Sequence, residues 1–114
     1  MTKRRVVVTG VGIVSPVGST IKQAWENIVN GVSGIKEITA FDASEFSVKI
    51  SGSVSDFDVN KYIDPKDQKK MDTFVHYGIG ASAEAIEDSG IEVTDANAHR
   101  IGVAIGSGIG GLPY

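Results

Sequence analysis

Three lysines near the middle of the chain have the spacing that most clearly suggests a chemical role. Lys66, Lys69 and Lys70 stand at positions i, i+3 and i+4, so on a helix they would project from one side. Positive charge near a helix N-terminus opposes the helix dipole by about 0.3 to 1 kcal/mol per exposed charge, so these lysines do not stabilise the helix. The pattern indicates either a binding patch or a solvated charged face, and Asp67 and Asp72 offset part of the charge.

Residues suited to nucleophilic or metal chemistry do not form a complete set. Ser107 stands between glycines, but a nucleophile elbow has its glycines two residues on either side of the serine, where this chain has Ile105 and Ile109. His76 and His99 lack a second ligand at metal spacing, so we expect a structural role for each and no metal site. The chain contains no cysteine, which excludes a thiolate nucleophile and disulfides within it.

Two glycines near the N-terminus could suggest a dinucleotide site. Gly10 and Gly12 occupy the first two positions of a G-x-G-x-x-G motif, but Ser15 stands at the third and Pro16 follows it. No acidic residue ends a second strand about twenty residues further on, as that site requires. We therefore predict a tight turn that packs beneath a helix, and no cofactor.

The first elements that would position these residues are a strand and a helix. Residues 6–8 are a β-branched run typical of a strand buried on both faces. A helix is predicted to begin at Thr20, which forms a capping box with Gln23, and to end at Gly31. Its predicted buried face consists of Ile21, Ala24, Trp25, Ile28 and Val29.

The second half of the chain continues the alternation of strands and helices. Apolar and polar residues alternate over 48–54, which predicts a half-exposed strand. Asp64-Pro65 opens a second helix that Gly90 ends, and small residues in its interior indicate a helix buried between layers. Residues 101–105 form the next apolar strand and residues 106–111 a glycine-rich loop. This order predicts an α/β fold with a parallel sheet and helical crossovers.

Composition narrows the class of protein. The 114 residues are 41% hydrophobic and carry a formal charge of −3, as expected for at most one soluble α/β domain. The apolar run that follows the basic N-terminus is too short for a signal peptide or a membrane span, which predicts a cytoplasmic protein without membrane contact. The mild acidity and the absence of a basic stripe with interleaved aromatic residues argue against nucleic-acid binding.

Three stretches of the chain carry a resemblance to a known family. They are residues 4–12 with Ser15-Pro16-Val17-Gly18, residues 68–72 with Tyr77-Gly78, and residues 104–112. In this order and spacing they resemble the N-terminal region of the β-ketoacyl-acyl carrier protein synthase II family, the type II fatty-acid condensing enzymes. The resemblance spans essentially the whole chain, and its last stretch is the most specific.

The resemblance implies a fold and an activity. Family members have a thiolase-like fold of five αβαβα layers and act as homodimers, so residues 1–114 would be the opening part of the N-terminal half of a β-ketoacyl synthase domain, ending after the glycine-rich loop. They are 3-oxoacyl-acyl carrier protein synthases, acyltransferases that elongate fatty acids by decarboxylative Claisen condensation of malonyl carrier protein with an acyl-enzyme thioester.

The resemblance also assigns residues. The catalytic cysteine and both histidines are expected downstream of Tyr114, so the chain alone is expected to be inactive. Ile109 matches the residue at the end of the acyl pocket, and Lys66, Lys69 and Lys70 match basic positions that face acyl carrier protein. One alternative is a non-catalytic ketosynthase-like partner, such as a polyketide chain-length factor, and another is a truncated reading frame that never folds.

Overall fold

The computed structural model describes residues 2–112 and contains three α-helices and one small sheet. Helix α1 spans Ile21–Val29, α2 spans Pro65–Gln68 and α3 spans Thr73–Ser89, while 3-10 turns lie at Val59–Lys61 and Ala98–Arg100. Strand β1 (Ile35–Glu37) pairs antiparallel with β2 (Ile50–Gly52). Across residues 2–112, none of the helices is both long and apolar enough to cross a membrane.

The bounds of α1 match the prediction, but most of its predicted buried face is exposed. The Thr20 hydroxyl accepts a hydrogen bond from the Gln23 amide at 3.2 Å, and Gly31 has a φ of 68° just beyond the helix. Ala24 is buried, whereas Trp25 is 66% exposed. Ile28 and Val29, which follow on the same face, are also largely exposed. The predicted burial was wrong because residues 2–112 supply no layer that covers this face.

The second predicted helix is divided into α2 and α3. Its predicted ends are confirmed, since the Asp64 carboxylate accepts a hydrogen bond from the Lys66 amide at 3.0 Å and Gly90 is left-handed with a φ of 65°. The single continuous helix was wrong. Residues 69–72 lie between the two helices, and Asp72, whose backbone is extended with a ψ of 158°, directly precedes α3.

The two predicted strands of a parallel sheet do not form a ladder in residues 2–112. The segments 6–8 and 101–105 are unpaired, and Val6 and Val103 are 87% and 82% exposed. A strand needs a neighbouring strand to accept its hydrogen bonds, and the described residues provide none for either segment. The predicted strand at 48–54 is confirmed in part, because β2 occupies its middle three residues and pairs with β1.

The N-terminal segment packs directly on α3, through its glycines and through two acidic side chains. A Cβ atom added at Gly10 or Gly12 would collide with carbonyl oxygens of α3, which confirms the predicted close packing beneath a helix. The tight turn lies further along the segment, where Ser15 and Gly18 exchange two backbone hydrogen bonds. The Glu84 carboxylate accepts hydrogen bonds from the amides of Ile13 at 3.0 Å and Ile21 at 2.7 Å, and the Asp88 carboxylate accepts one from Val11 at 2.9 Å. These bonds fix the segment that leads into α1.

An aromatic cluster holds the segment before α2 against α3. The rings of Phe57 and Tyr62 stack with centroids 5.6 Å apart, and Phe57 meets Tyr77 of α3 edge to face at 5.3 Å. Gly80 makes this possible, because a Cβ atom there would lie only 2.7 Å from the end of the Phe57 ring. Ile63, the residue after Tyr62, is buried and directly precedes the segment that carries the lysines.

Candidate functional site

The three predicted lysines lie on a short stretch that we call the basic segment, residues 64–71. Lys66, Lys69 and Lys70 are all exposed. Lys70 pairs with the Asp67 carboxylate at 2.7 Å, with the two side chains 63% and 49% exposed. Within residues 2–112, the structure shows no ion pair for Lys66 or Lys69. With three lysines and two aspartates, the basic segment has a net charge of +1, and the ammonium groups of Lys66 and Lys69, unpaired within the described residues, face solvent.

Three hydrogen bonds tie the basic segment to its neighbours, and all of them involve Gln68. Its side-chain amide donates to the carbonyl of Ile63 at 2.8 Å and to the side-chain oxygen of Asn60 at 2.9 Å. Its backbone carbonyl lies 3.1 Å from Nε2 of His76, a half-buried residue on the first turn of α3. The sequence pattern did not reveal this contact of His76 with Gln68.

The glycine-rich loop at residues 106–111 carries the predicted acyl-pocket residue. Ile109 is 83% exposed in the described chain. The next residue, Gly110, has a φ of 77°, and its amide donates to the Ser107 hydroxyl at 3.0 Å. Ser107 thus stabilises a turn that a residue with a side chain at position 110 would strain, and it is not arranged as a nucleophile.

The glycine-rich loop contacts the start of α3, directly after the basic segment in the chain. The Asp72 carboxylate lies against Gly111, where it occupies the place that a side chain would take. Asp72 consequently gives α3 no side-chain cap. The Phe74 ring lies 3.5 Å from the position of a Cβ atom added at Gly110. The structure therefore brings the predicted acyl-pocket loop to the helix start that follows the lysines.

The remaining titratable groups do not add a second site. Among residues 2–112, no group of three or more His, Asp or Glu side chains is arranged to hold a metal ion. Hydrogen bonds from the Ser44 amide and hydroxyl lower the pKa of Asp42, but this carboxylate is fully exposed in a turn. The two acidic side chains that fasten the N-terminal segment, Glu84 and Asp88, were not anticipated from the sequence.

Comparisons with known proteins connect this arrangement to a family. The family described as "Beta-ketoacyl synthase, N-terminal domain" matches residues 3–113. The chain is 55% identical over 112 residues to a 3-oxoacyl-[acyl-carrier-protein] synthase 2 of Vibrio harveyi, covering 98% of this chain and 27% of the relative. It is 49% identical over 114 residues to the protein of the same name in Coxiella burnetii, covering 100% of this chain and 28% of the relative.

A solved structure supports the same relationship. The structure described as "The ishigamide ketosynthase/chain length factor" matches with a TM-score of 0.67 and 29% identity, covering 80% of this chain and 23% of that chain. The predicted thiolase-like fold class is thus confirmed for the opening part of the N-terminal half. The chain spans about a quarter of the length of the curated relatives it matches. With its family matched over residues 3–113, the chain belongs to the β-ketoacyl synthase family, as part of its N-terminal domain.

Proposed function

We propose that these 114 residues are the N-terminal part of a 3-oxoacyl-[acyl-carrier-protein] synthase that elongates fatty acids. The observation that carries the proposal is the 55% identity to a synthase of that name over 98% of this chain. In the proposed reaction the acyl group passes from acyl carrier protein to an enzyme cysteine, and the carrier protein leaves as its free thiol. Malonyl carrier protein then loses carbon dioxide, and the resulting carbanion attacks the acyl-enzyme thioester and displaces the cysteine thiolate. The products are 3-oxoacyl carrier protein, carbon dioxide, free carrier protein and the regenerated cysteine thiol.

The described residues lack the nucleophile, so their proposed role is to bind and orient the substrate. The chain has no cysteine, so the acyl-accepting thiol and the two histidines that stabilise the enolate belong to the rest of the synthase. Lys66, Lys69 and Lys70 would contact the acidic carrier protein. Ile109 would lie at the end of the acyl pocket, on a loop whose glycines permit its side chain to change direction.

The exposed charges of the basic segment support the docking role. Of the three lysines within these five residues, only Lys70 has an ion-pair partner among residues 2–112, namely Asp67. Charged groups at the rim of an interface act mainly through association rate and are screened by salt. A homodimeric assembly and a cytoplasmic location complete the proposal, on the basis of the family resemblance.

Charge reversal of all three lysines tests the docking role in the full-length synthase, the longer protein that would contain these residues. We expect the triple change to Glu to raise the KM for acyl carrier protein by about 3- to 150-fold at low salt, from roughly 0.2 to 1 kcal/mol per exposed contact. The salt dependence of KM should flatten, while kcat should change little.

Two controls make this result specific. Small acyl thioesters that lack the carrier protein do not touch the basic segment and should react as before. Reversal of Lys3, Lys22 and Lys36, which are also exposed, changes the net charge equally and should leave the KM for carrier protein near its original value. Equal losses with both substrates, or normal carrier-protein binding by the first variant, would show that the lysines are only a solvated face.

The alternative function is a non-catalytic chain-length factor. It is favoured by the likeness to the ishigamide ketosynthase/chain length factor structure, at 29% identity. Curated synthases are more similar, at 44–55%. The coding sequence after Tyr114 distinguishes the two functions, because a condensing enzyme requires a cysteine among small residues and two later histidines, whereas a chain-length factor has the cysteine replaced.

A further inference from the structure

The basic segment is too short and too polar to hold its own conformation. Helix α2 has four residues, far fewer than an isolated helix needs for stability in water. None of residues 66–71 is buried, and four of the six are charged. Neither helix propensity nor apolar burial therefore fixes the position of the lysines, and hydrogen bonds to neighbouring segments must do so.

We infer that His76 is a positioning residue for the carrier-protein site: its Nε2 donates to the carbonyl of Gln68 and so fastens the basic segment to α3. A carbonyl oxygen only accepts hydrogen bonds, so at 3.1 Å the ring nitrogen must carry the proton. This inference rests on the proposed function, because it assigns the lysines to carrier-protein docking.

The hydrogen bond from His76 lies at the C-terminal end of α2, where few other bonds hold the basic segment. The carbonyl of Gln68 also accepts a hydrogen bond from the Met71 amide, which at 3.3 Å is a long bond. Beyond it, Asp72 leaves the helical path. On the other side, the Gln68 side chain is tied to Ile63 and Asn60. Gln68 therefore links α3 to the segment before α2, and His76 supplies the α3 side of that link.

A fixed backbone matters because the lysines themselves are long and flexible. Each mobile lysine that binds a partner loses rotamer freedom, and a mobile backbone would add a further ordering cost at the moment of docking. With the backbone held by His76, only the side chains need to be ordered. Loss of the bond should therefore weaken carrier-protein binding and leave the chemical step unchanged.

The test compares three substitutions in the full-length synthase. His76→Leu removes the donor, and His76→Gln places an amide donor near the position of Nε2. His99→Leu is the matched control, since His99 is an exposed histidine with no side-chain hydrogen bond in residues 2–112. Hydrogen exchange of a peptide covering residues 64–72 reports on the segment without carrier protein. Kinetics with acyl carrier protein and with a small acyl thioester report on docking and on the chemical step.

We expect His76→Leu to speed exchange in residues 64–72 and to raise the KM for carrier protein, each by about 2- to 10-fold, the range for loss of one hydrogen bond. The kcat with the small thioester should stay within about 2-fold. His76→Gln should restore both values and His99→Leu should change neither. If His76→Leu loses activity with the small thioester, His76→Phe, which keeps a ring without the donor, replaces it.

Three results would overturn the inference. Unchanged exchange in the Leu and Phe variants would show that the bond does not hold the segment. Equal impairment by Gln would show that ring packing, not the hydrogen bond, is what matters. Faster exchange with an unchanged KM would show that docking does not need a fixed segment. If exchange is faster but the KM is unchanged in the His76 variant, the triple lysine variant separates the two proposals. A raised KM for carrier protein in the lysine variant means that only the positioning role of His76 fails. An unchanged KM in the lysine variant means that the proposed docking role fails as well.

Discussion

Replacement of Glu84 by Gln should loosen the N-terminal segment more than its conservative chemistry suggests. The carboxylate accepts two backbone amides, from Ile13 and from Ile21, and hydrogen bonds to a charged group are worth about 1.5 to 3 kcal/mol each. A Gln side chain retains one acceptor but turns its NH2 group toward the second amide. That amide donor is then left without a partner.

The expected cost follows from these two contacts. In the Gln variant, one of the two hydrogen bonds to the Glu84 carboxylate is lost and the other becomes a bond to a neutral oxygen. The negative charge that favours the N-terminus of α1 is also lost. Together these changes amount to about 2 to 4 kcal/mol, after allowance for the partial exposure of Glu84 in an open cleft that it shares with Glu87. This corresponds to a roughly 30- to 700-fold increase in the equilibrium for local opening.

Hydrogen exchange of residues 10–22 in the full-length synthase measures this opening directly. Glu87→Gln is the matched control, because it removes the same charge from the same cleft on a side chain that shows no hydrogen bond in residues 2–112. We expect fast exchange in the Glu84 variant only. Equal and small effects of the two variants, below about 0.5 kcal/mol, would refute the conclusion that the Glu84 carboxylate fastens this segment.

Three further predictions concern the described surfaces and packing. The isolated 114-residue chain should associate or aggregate, because large apolar side chains such as Val6 and Trp25 are exposed; a monodisperse monomer with a cooperative melting transition would contradict this. Ile109→Phe in the full-length synthase should shorten the longest acyl chain accepted and spare short primers, as measured by product length; equal loss at all lengths would indicate misfolding. In the full-length synthase, Gly80→Ala should lower the free energy of unfolding in urea by about 1 to 3 kcal/mol more than Gly78→Ala does, because only the alanine at position 80 would meet the Phe57 ring. Equal free energies of unfolding in the two variants would contradict the contact.

Features that depend on local chemistry could be predicted from the sequence. The cap at Thr20, the cap at Asp64 and the left-handed Gly90 were all found, because each is specified by residues within one turn of the helix end. The close approach of Gly10 and Gly12 to a helix was also predicted. The family resemblance, carried by short motifs in a fixed order, gave the fold class.

Features that depend on distant partners could not be predicted. The break between α2 and α3 places Nε2 of His76 at the carbonyl of Gln68, which in a continuous helix would accept the amide of Asp72 instead. Helical periodicity alone predicts the continuous helix and does not reveal this contact. Glu84 and Asp88 resemble ordinary polar residues on a helix surface until the amides of Val11 and Ile13 are placed beside them. The pairing of segments 6–8 and 101–105 likewise depends on neighbouring strands, which periodicity does not identify.

The attachment of the N-terminal segment to α3 sets an order of events during synthesis. The bond from Val11 to Asp88 joins residues 77 positions apart, so it cannot form until α3 has been made. At about 5 to 20 residues per second, the amide of Val11 waits roughly 4 to 15 seconds for the Asp88 carboxylate. Closing so long a loop is also slow compared with forming α1. The segment at residues 10–13 is therefore made well before α3 and is fastened to it only afterwards.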